Sequence, residues 1–471
     1  MFDTTHRVRR SLIALSVLTL SGCATFSEDG GFTAVETEVR EHLGQDARWA
    51  RTDEDRSASQ TQVAQLLQAE LTADTAIQIA LLNNPTLQAD YANLGLQEAE
   101  LVQAGRLPNP GFSFGKTSRG GAQEIERGLH FNLLALLTLP ARLGIEEERF
   151  EGEKLAAIAA TVSTAMAARR AFFEAVASRQ AAAYAQQVVE SAQASRELTA
   201  RMSAVGNSSR LEHAREQLFH AEALAALAGA KLQQGDAREG LIRVLGLWGT
   251  QTDIRLPERL PELPDGPREI ADVEQKALGQ RLDVRAAKHS LEALATNLGL
   301  TQTLGFINVL EIGPAQVRER GEPVSNGYEV SFEIPIFDFG QVKNAKAQGQ
   351  YNQGVDRLRA TAINARSEVR SAYLTYRTAY DLSKHYRDEV LPLRKRISDE
   401  QLLKYNGMLI SVFELIADAR EQVMSINTYL NTLRQFWLGD TALRTAMLVG
   451  NAPTMSLSAA AAPSGGSGGG H

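Results

Sequence analysis

The side chains able to do chemistry are few, and they form no obvious catalytic set. His213, Glu216 and His220 recur at a spacing that places them along one helical face, and two imidazoles with a carboxylate could hold a divalent metal. A solvated helix face accounts for the same pattern more simply. The Gly-x-Ser-x-Gly pattern occurs at Gly111 to Gly115 and at Gly465 to Gly469. A nucleophile elbow needs a sharp turn from strand into helix. The first match alternates like a strand, and the second lies in a Gly/Ser tail. No Gly-rich phosphate loop stands between a strand and a helix, and Gly120-Gly121 reads as a turn. His130 falls on an expected strand. The chain is therefore read as a non-enzyme, with no cofactor and no metal site.

The only cysteine has an informative place. Arg7, Arg9 and Arg10 precede an apolar run from Leu12 to Leu20, followed by Ser21-Gly22-Cys23. This is an export signal over residues 1–22. Its end resembles the lipobox of bacterial lipoproteins, which implies that Cys23 becomes the acylated first residue. The alternative is an ordinary secretory signal with an incidental cysteine. Ala24, where an Asp would favour inner-membrane retention, implies outer-membrane sorting. A lone Cys also excludes an intramolecular disulfide and a Cys-cluster metal site.

The 471 residues are 44% hydrophobic but only 6% aromatic, and much of the apolar content is alanine. That composition suits long helices packed closely side by side. With 56 acidic and 49 basic residues, a net charge of −7 and no long basic tract, nucleic acid is not an expected partner. Beyond the signal, no stretch reaches the ~18 apolar residues of a membrane helix. Any crossing of a bilayer by the mature chain needs strands of a closed barrel.

The elements repeat. Residues 24–70 are polar and irregular, a tether with a short helix. A helix capped by Thr72 or Asp74 is interrupted at Asn84-Pro85 and resumes to about Gly105. No proline occurs between Pro140 and Pro257, and neither Gly nor Pro between Gly152 and Gly206. That stretch alone could span roughly 80 Å as helix, so it must lie along other long helices. In the second half Leu358, Ala362, Ala365, Val369, Ala372, Tyr376, Ala379, Ser383, Tyr386, Val390, Leu393 and Ile397 form a heptad seam. Pro392 predicts a bend in it. Gly407 predicts a left-handed helix cap.

Ala80 to Ala89 parallels Ala277 to Ala286, and Ala214-Arg215-Glu216-Gln217 parallels Ala419-Arg420-Glu421-Gln422. The domain plan is then a signal (1–22), an acylated tether (23–70), a first repeat (71–250), a Pro-rich linker (251–267), a second repeat (268–450) and a flexible tail (451–471). The first repeat carries a strand pair at 110–140 and helices at 143–205 and 207–248. The second carries a strand pair at 304–337 and helices at 340–405 and 410–449. Within the pairs, strands are expected at Gly111 to Gly115, Leu129 to Leu139, Phe306 to Ile312 and Tyr328 to Ile334. In the last, Tyr328, Val330, Phe332 and Ile334 share one face and Glu329, Ser331 and Glu333 the other. Lipid against a water-filled lumen requires that alternation. A soluble hairpin on a core produces it too.

The entry sequence Ala80-Leu81-Leu82-Asn83-Asn84-Pro85-Thr86-Leu87, the strand exits Ile334-Pro335-Ile336-Phe337-Asp338-Phe339-Gly340 and Leu139-Pro140-Ala141-Arg142-Leu143-Gly144, and the turn Tyr405-Asn406-Gly407 resemble those of TolC-type outer-membrane efflux channels. The resemblance covers nearly all of residues 70–450. It implies a fold that is mainly α with a small β part. Three copies would join four strands each into a 12-stranded barrel, and their long helices would form a hollow α-barrel across the periplasm. The implied function is the outer-membrane channel of a tripartite system, with a periplasmic adaptor, an inner-membrane pump and outer-membrane lipid as partners. Heavy-metal ions or drugs are the implied cargo.

Gly206, Asn207, Tyr405, Asn406 and Gly407 would form the helix tips where the adaptor docks. Glu414 and Asp418, one helical turn apart, and Phe413 would stand at the aperture. The family's two closely spaced Asp are not matched position by position, so a pair of solvated charges stays open as the alternative. Two other classes stay open as well: a coiled-coil lipoprotein without a pore, and a periplasmic lipoprotein binding a metal or other ligand.

Overall fold

A computed structural model describes residues 25–450. The signal, Cys23 and the tail from residue 451 lie outside the described residues. Eleven α-helices and four strands are described, in the order α1 (Phe32–Leu43), α2 (Asp53–Leu66), α3 (Ala73–Asn83), α4 (Pro85–Ala104), β1 (Gly111–Arg119), β2 (Ala122–Asn132), α5 (Leu133–Ala204), α6 (Arg210–Leu245), α7 (Val273–Gln280), α8 (Leu282–Leu304), β3 (Leu310–Glu319), β4 (Ser325–Phe332), α9 (Gln341–His385), α10 (Leu391–Asn406) and α11 (Val412–Leu448). The chain divides into two compact units. Among the described residues, one comprises 25–35, Asp90–Ala157 and Asp283–Ile363. The other comprises Glu36–Ala89, Ile158–Leu282 and 364–450. The fold is mainly α with one small sheet, as read from the sequence. Among the described residues no helix is long and apolar enough to cross a membrane.

The second unit holds the main apolar core. Ile79, Phe173, Val176, Leu241, Tyr376, Tyr380 and Phe436 are buried together in it. Burying each such side chain contributes roughly 1.5–3 kcal/mol. The Pro-rich segment is part of this core rather than a free spacer, with Ile254, Leu256, Leu260 and Leu263 buried. Helix side chains hold its backbone: Trp437 Nε1 donates to Pro261 O at 2.9 Å, Tyr380 Oη to Asp265 O at 2.9 Å, and Arg387 Nη1 to Leu263 O at 3.2 Å. Proline cannot donate to a ladder, and here the carbonyls of an irregular strap find side-chain partners instead.

The repeat is visible in how each interrupted helix meets the last helix of its half. Asn84 Nδ2 donates to Val244 O at 2.8 Å, and Asn83 Nδ2 donates to Gly246 O at 2.8 Å. In the second half Arg281, 1% exposed, donates from Nη1 to Ala446 O at 3.2 Å and to Glu368 Oε2 at 2.7 Å. Helix C-termini leave carbonyls without intrahelical partners. Both helix breaks supply the missing donors, one with amides and one with a guanidinium.

Several element boundaries differ from the sequence reading. The tether contains two helices, α1 and α2, the second opened by a Thr52–Asp55 capping box. Leu133 to Leu139 is helix, not strand, because Asn132 accepts from Ala135 N at 2.8 Å and starts α5 there. Pro140 lies inside α5. Phe306 to Val309 precedes β3, which instead continues to Glu319, and β4 ends at Phe332. At Pro392 the helix passes through a π turn, Tyr386–Val390, with Leu391 N bonded to Tyr386 O. One extra residue per turn accommodates the ring and rotates the helix beyond it. The heptad seam is therefore buried at Ala365, Val369, Tyr376, Ala379 and Ser383, whereas Leu393 and Ile397 are exposed.

Candidate functional site

The sheet has order β1-β2-β3-β4, with every pairing antiparallel. The β1–β2 turn is two residues, Gly120 (φ 58°) and Gly121 (φ 91°), both left-handed as a tight hairpin of this type requires. The register pairs Phe112 with Leu129, Phe131 with Ile312, Ile312 with Val330 and Leu310 with Phe332. Side chains alternate across a strand. One face thus collects Phe112, Phe114, Leu129, Phe131, Ile312, Tyr328, Val330 and Phe332. All eight are exposed, Tyr328 to 80%. Toward the β1–β2 turn the same face becomes polar, with Lys116, Arg127, Gln316 and Arg318.

The opposite face carries Ser113, Glu124, Glu126, Glu311, Glu329 and Ser331, interleaved with Gly115, Gly128, Gly313 and Gly327. Glycine is obligatory at Gly313, where a Cβ would fall 1.5 Å from Leu129 O. A soluble hairpin would cover its apolar face with protein, and this face has no such cover among the described residues. Among the described residues the outer strands β1 and β4 also each leave one edge unpaired. Ser113 Oγ and His130 Nε2 are 2.8 Å apart on the polar face. The Gly-x-Ser-x-Gly run is strand throughout, so the elbow geometry is absent there.

Both helix turns lie in the second unit and are built alike. Gly206 (φ 79°) closes α5, with Asn207 N bonded to Met202 O at 2.9 Å. Ser209 then opens α6 through a capping box with Glu212. Its hydrogen bonds from the Ser209 backbone and side chain hold the Glu212 carboxyl below its ordinary range. At the second turn the left-handed residue is Met408 (φ 56°), not Gly407, whose φ is −80°. Leu409 N bonds Lys404 O at 2.9 Å, and Ser411 forms a capping box with Glu414. The register of the two turns is thus set by the capping serines, each three residues beyond the left-handed one, and the glycine falls one place early. Tyr405, Asn406, Gly206 and Asn207 sit at these turns.

Glu414 is exposed and caps α11, whereas Asp418 is buried and Phe413 half-buried. The two carboxylates are not equally placed toward solvent within one chain. Glu216 is buried, accepts from Ser195 Oγ at 2.8 Å and pairs with Arg420 at 2.5 Å. His213 bonds Gln217, 3.0 Å away. Glu216 is therefore occupied as a structural anion, and His213, Glu216 and His220 are not gathered as a metal set.

The grouping that sequence reasoning missed is Glu148, His289 and Glu292, each with a ligand atom within 4.8 Å of the others. Within the charged run Glu146-Glu147-Glu148-Arg149, Glu148 meets His289 at 2.7 Å and Glu146 accepts from Gln97 at 3.1 Å. The local signal was His289 and Glu292 three apart on one helical face.

Residues 273–395 match the sequence model described as outer membrane efflux protein. That family comprises channels rather than enzymes. No curated protein matches the chain in sequence. Solved structures match in fold. The outer membrane protein VceC of Vibrio cholerae is 15% identical at TM-score 0.66, over 85% of this chain and 97% of that one. CusC, described as undergoing conformational changes that accompany folding and transmembrane channel formation, is 18% identical at TM-score 0.66, over 81% and 93%. The MtrE outer membrane channel of Neisseria gonorrhoeae, in its open state, is 16% identical at TM-score 0.64, over 79% and 88%. The fold is that of TolC-type outer-membrane channels.

Proposed function

We propose that this efflux-family chain is the outer-membrane duct of a tripartite export system, working as a homotrimer. The observation that carries this reading is the sheet: an exposed apolar face, an acidic and glycine-rich opposite face, and two unpaired edges. In hydrocarbon an unpaired strand edge is intolerable. Three copies close it by pairing β4 of one copy with β1 of the next, which gives a 12-stranded barrel with lipid outside and water inside. The helices form the periplasmic conduit. The turns at Gly206-Asn207 and Tyr405-Asn406-Gly407 dock a periplasmic adaptor, which couples the duct to an inner-membrane pump. Conduction and gating, not bond chemistry, are then the mechanism. Opening is a change in the population of helix-tip arrangements driven by adaptor binding.

In this reading Cys23 is acylated and holds the N-terminus on the outer membrane. More than one acyl chain holds a protein firmly on a bilayer. Glu414, Asp418 and Phe413 stand at the periplasmic aperture, and the cargo is heavy-metal ions or drugs.

Planar-bilayer recording of the purified protein tests the central statement. Discrete conductance steps are expected, and a preparation that never conducts while remaining folded and trimeric would reject it. Changing Glu414 and Asp418 to the corresponding amides should reduce cation preference. Unchanged selectivity would remove them from the aperture. Cys23→Ser should abolish palmitate incorporation.

A further inference from the structure

We propose that Glu148, His289 and Glu292 form a divalent-cation site of zinc type that ties α5 to α8 within the first unit. His289 and Glu292 are one turn apart on α8, and Glu148 comes from α5, 141 positions from His289. The three ligand atoms already lie within 4.8 Å of one another, and His289 Nδ1 is 2.7 Å from Glu148 Oε2. Around a tetrahedral zinc, with metal–ligand bonds of about 2.0–2.2 Å, ligand atoms stand roughly 3.4 Å apart. The separations present, 2.7 Å for one pair and within 4.8 Å for all three, bracket that spacing. Glu148 and His289 are each about one-third exposed, so an ion can reach them and a water can complete the shell.

Charge and donor type separate this reading from a plain ion pair. Within the trio a protonated imidazole balances one carboxylate and leaves the other. A divalent ion balances both and takes the place of the proton between His289 and Glu148. One nitrogen and two carboxylate oxygens suit zinc or a neighbouring transition metal better than magnesium or calcium, which prefer oxygen alone. The site is independent of what the duct carries and of whether it conducts. Its expected effect is to stabilise the unit that bears the sheet, because an ion bound only by the folded state shifts the folding equilibrium.

The test is zinc titration calorimetry on the full chain in detergent after removal of metal by chelator. Co²⁺ absorption in the visible range reports the coordination number. One ion per chain is expected, with a rise in melting temperature on adding Zn²⁺. Loss of a group that only orients a metal ligand typically weakens binding at least about tenfold, so removal of a direct ligand in His289→Ala should do no less. Glu292→Gln, a milder change, should also weaken binding while the helical signal stays unchanged. His220→Ala should bind as the parent does. Absence of stoichiometric zinc binding, or undiminished binding by His289→Ala and Glu292→Gln, would overturn the site.

Discussion

Arg420 Nη2 stands 2.5 Å from Glu216 Oε1, joining the start of α11 to the start of α6. The two residues come from the duplicated Ala-Arg-Glu-Gln motif, but from different members of the pair. The copies are no longer equivalent. Glu216 is 4% exposed, whereas Glu421, its counterpart, pairs with Arg394 at 2.9 Å and stays half in solvent. The Arg420 guanidinium also lies over the Phe219 ring at 4.3 Å. Removing one partner of a buried pair leaves an uncompensated charge. Arg420→Ala should therefore cost about 2–3 kcal/mol, less than the roughly 3–5 kcal/mol of a fully buried pair, since Arg420 itself is part-exposed. Glu216→Gln should cost less, because the amide still bonds Ser195. A double-mutant cycle in denaturant checks this. Additive effects would show that the two side chains are not coupled.

A second buried anion organises the core of the same unit. Asp440 is 3.2 Å from Arg169 Nη2 and 3.0 Å from Arg444 Nε, with Arg268 Nη1 at 3.9 Å. Desolvation pushes the Arg169 guanidinium below its ordinary pKa, aided by the nearby Arg444 charge, and Asp440 opposes this. Asp440→Asn should destabilise by about 3–5 kcal/mol, because it takes the paired anion from the buried Arg169 and leaves the Arg444 charge beside it. The melting temperature of the helical signal reports it. A change of less than a few degrees would mean that water screens the cluster.

The turns make opposite predictions for two small substitutions. Met408 adopts φ 56°, a conformation that costs a non-glycine residue about 1 kcal/mol or more. It is 94% exposed, so little packing is lost on truncation. Met408→Gly should stabilise the chain by a few tenths to about 1 kcal/mol. At Gly246 (φ 67°) a Cβ would meet Asn83 O at 2.6 Å, where the first helix break docks. Gly246→Ala should destabilise by about 2 kcal/mol or more, combining left-handed strain with displacement of that carbonyl. Chemical denaturation of both variants beside the parent decides the signs.

Features set by neighbouring residues are legible in the sequence, and those set by distant partners are not. The break at Asn84-Pro85, the Thr72 cap and the alternation from Tyr328 to Phe332 are written in adjacent positions, and the structure places them as read. The start of α5 at Leu133 is hidden because an apolar Leu-rich run fits strand and helix equally. The choice there rests on one side-chain cap from Asn132. The outward turn of Leu393 and Ile397 is hidden because a single inserted residue in a π turn leaves no periodic mark until the phase has shifted. The burial of Asp418 and the gathering of Glu148 with His289 depend on partners far along the chain, which spacing alone cannot supply.

Val330 and Ser331 are adjacent on β4 and stand on opposite faces of the sheet, so one substitution at each separates the two surfaces. On the lipid face of a barrel an Arg near the mid-plane costs about 2–4 kcal/mol, and on the lumen side a charge alters selectivity instead. Val330 pairs with Ile312, and that face continues through Phe131 and Leu129, all exposed. Val330→Arg should therefore lower the yield of membrane-inserted trimer, read by heat-modified gel mobility and flotation with vesicles. Ser331→Arg should insert normally. It adds a cation among Glu311 and Glu329, so single-channel recordings should show reduced cation preference. The reverse pattern, with Ser331→Arg excluded from vesicles and Val330→Arg conducting as the parent does, would mean that the apolar face lines the water.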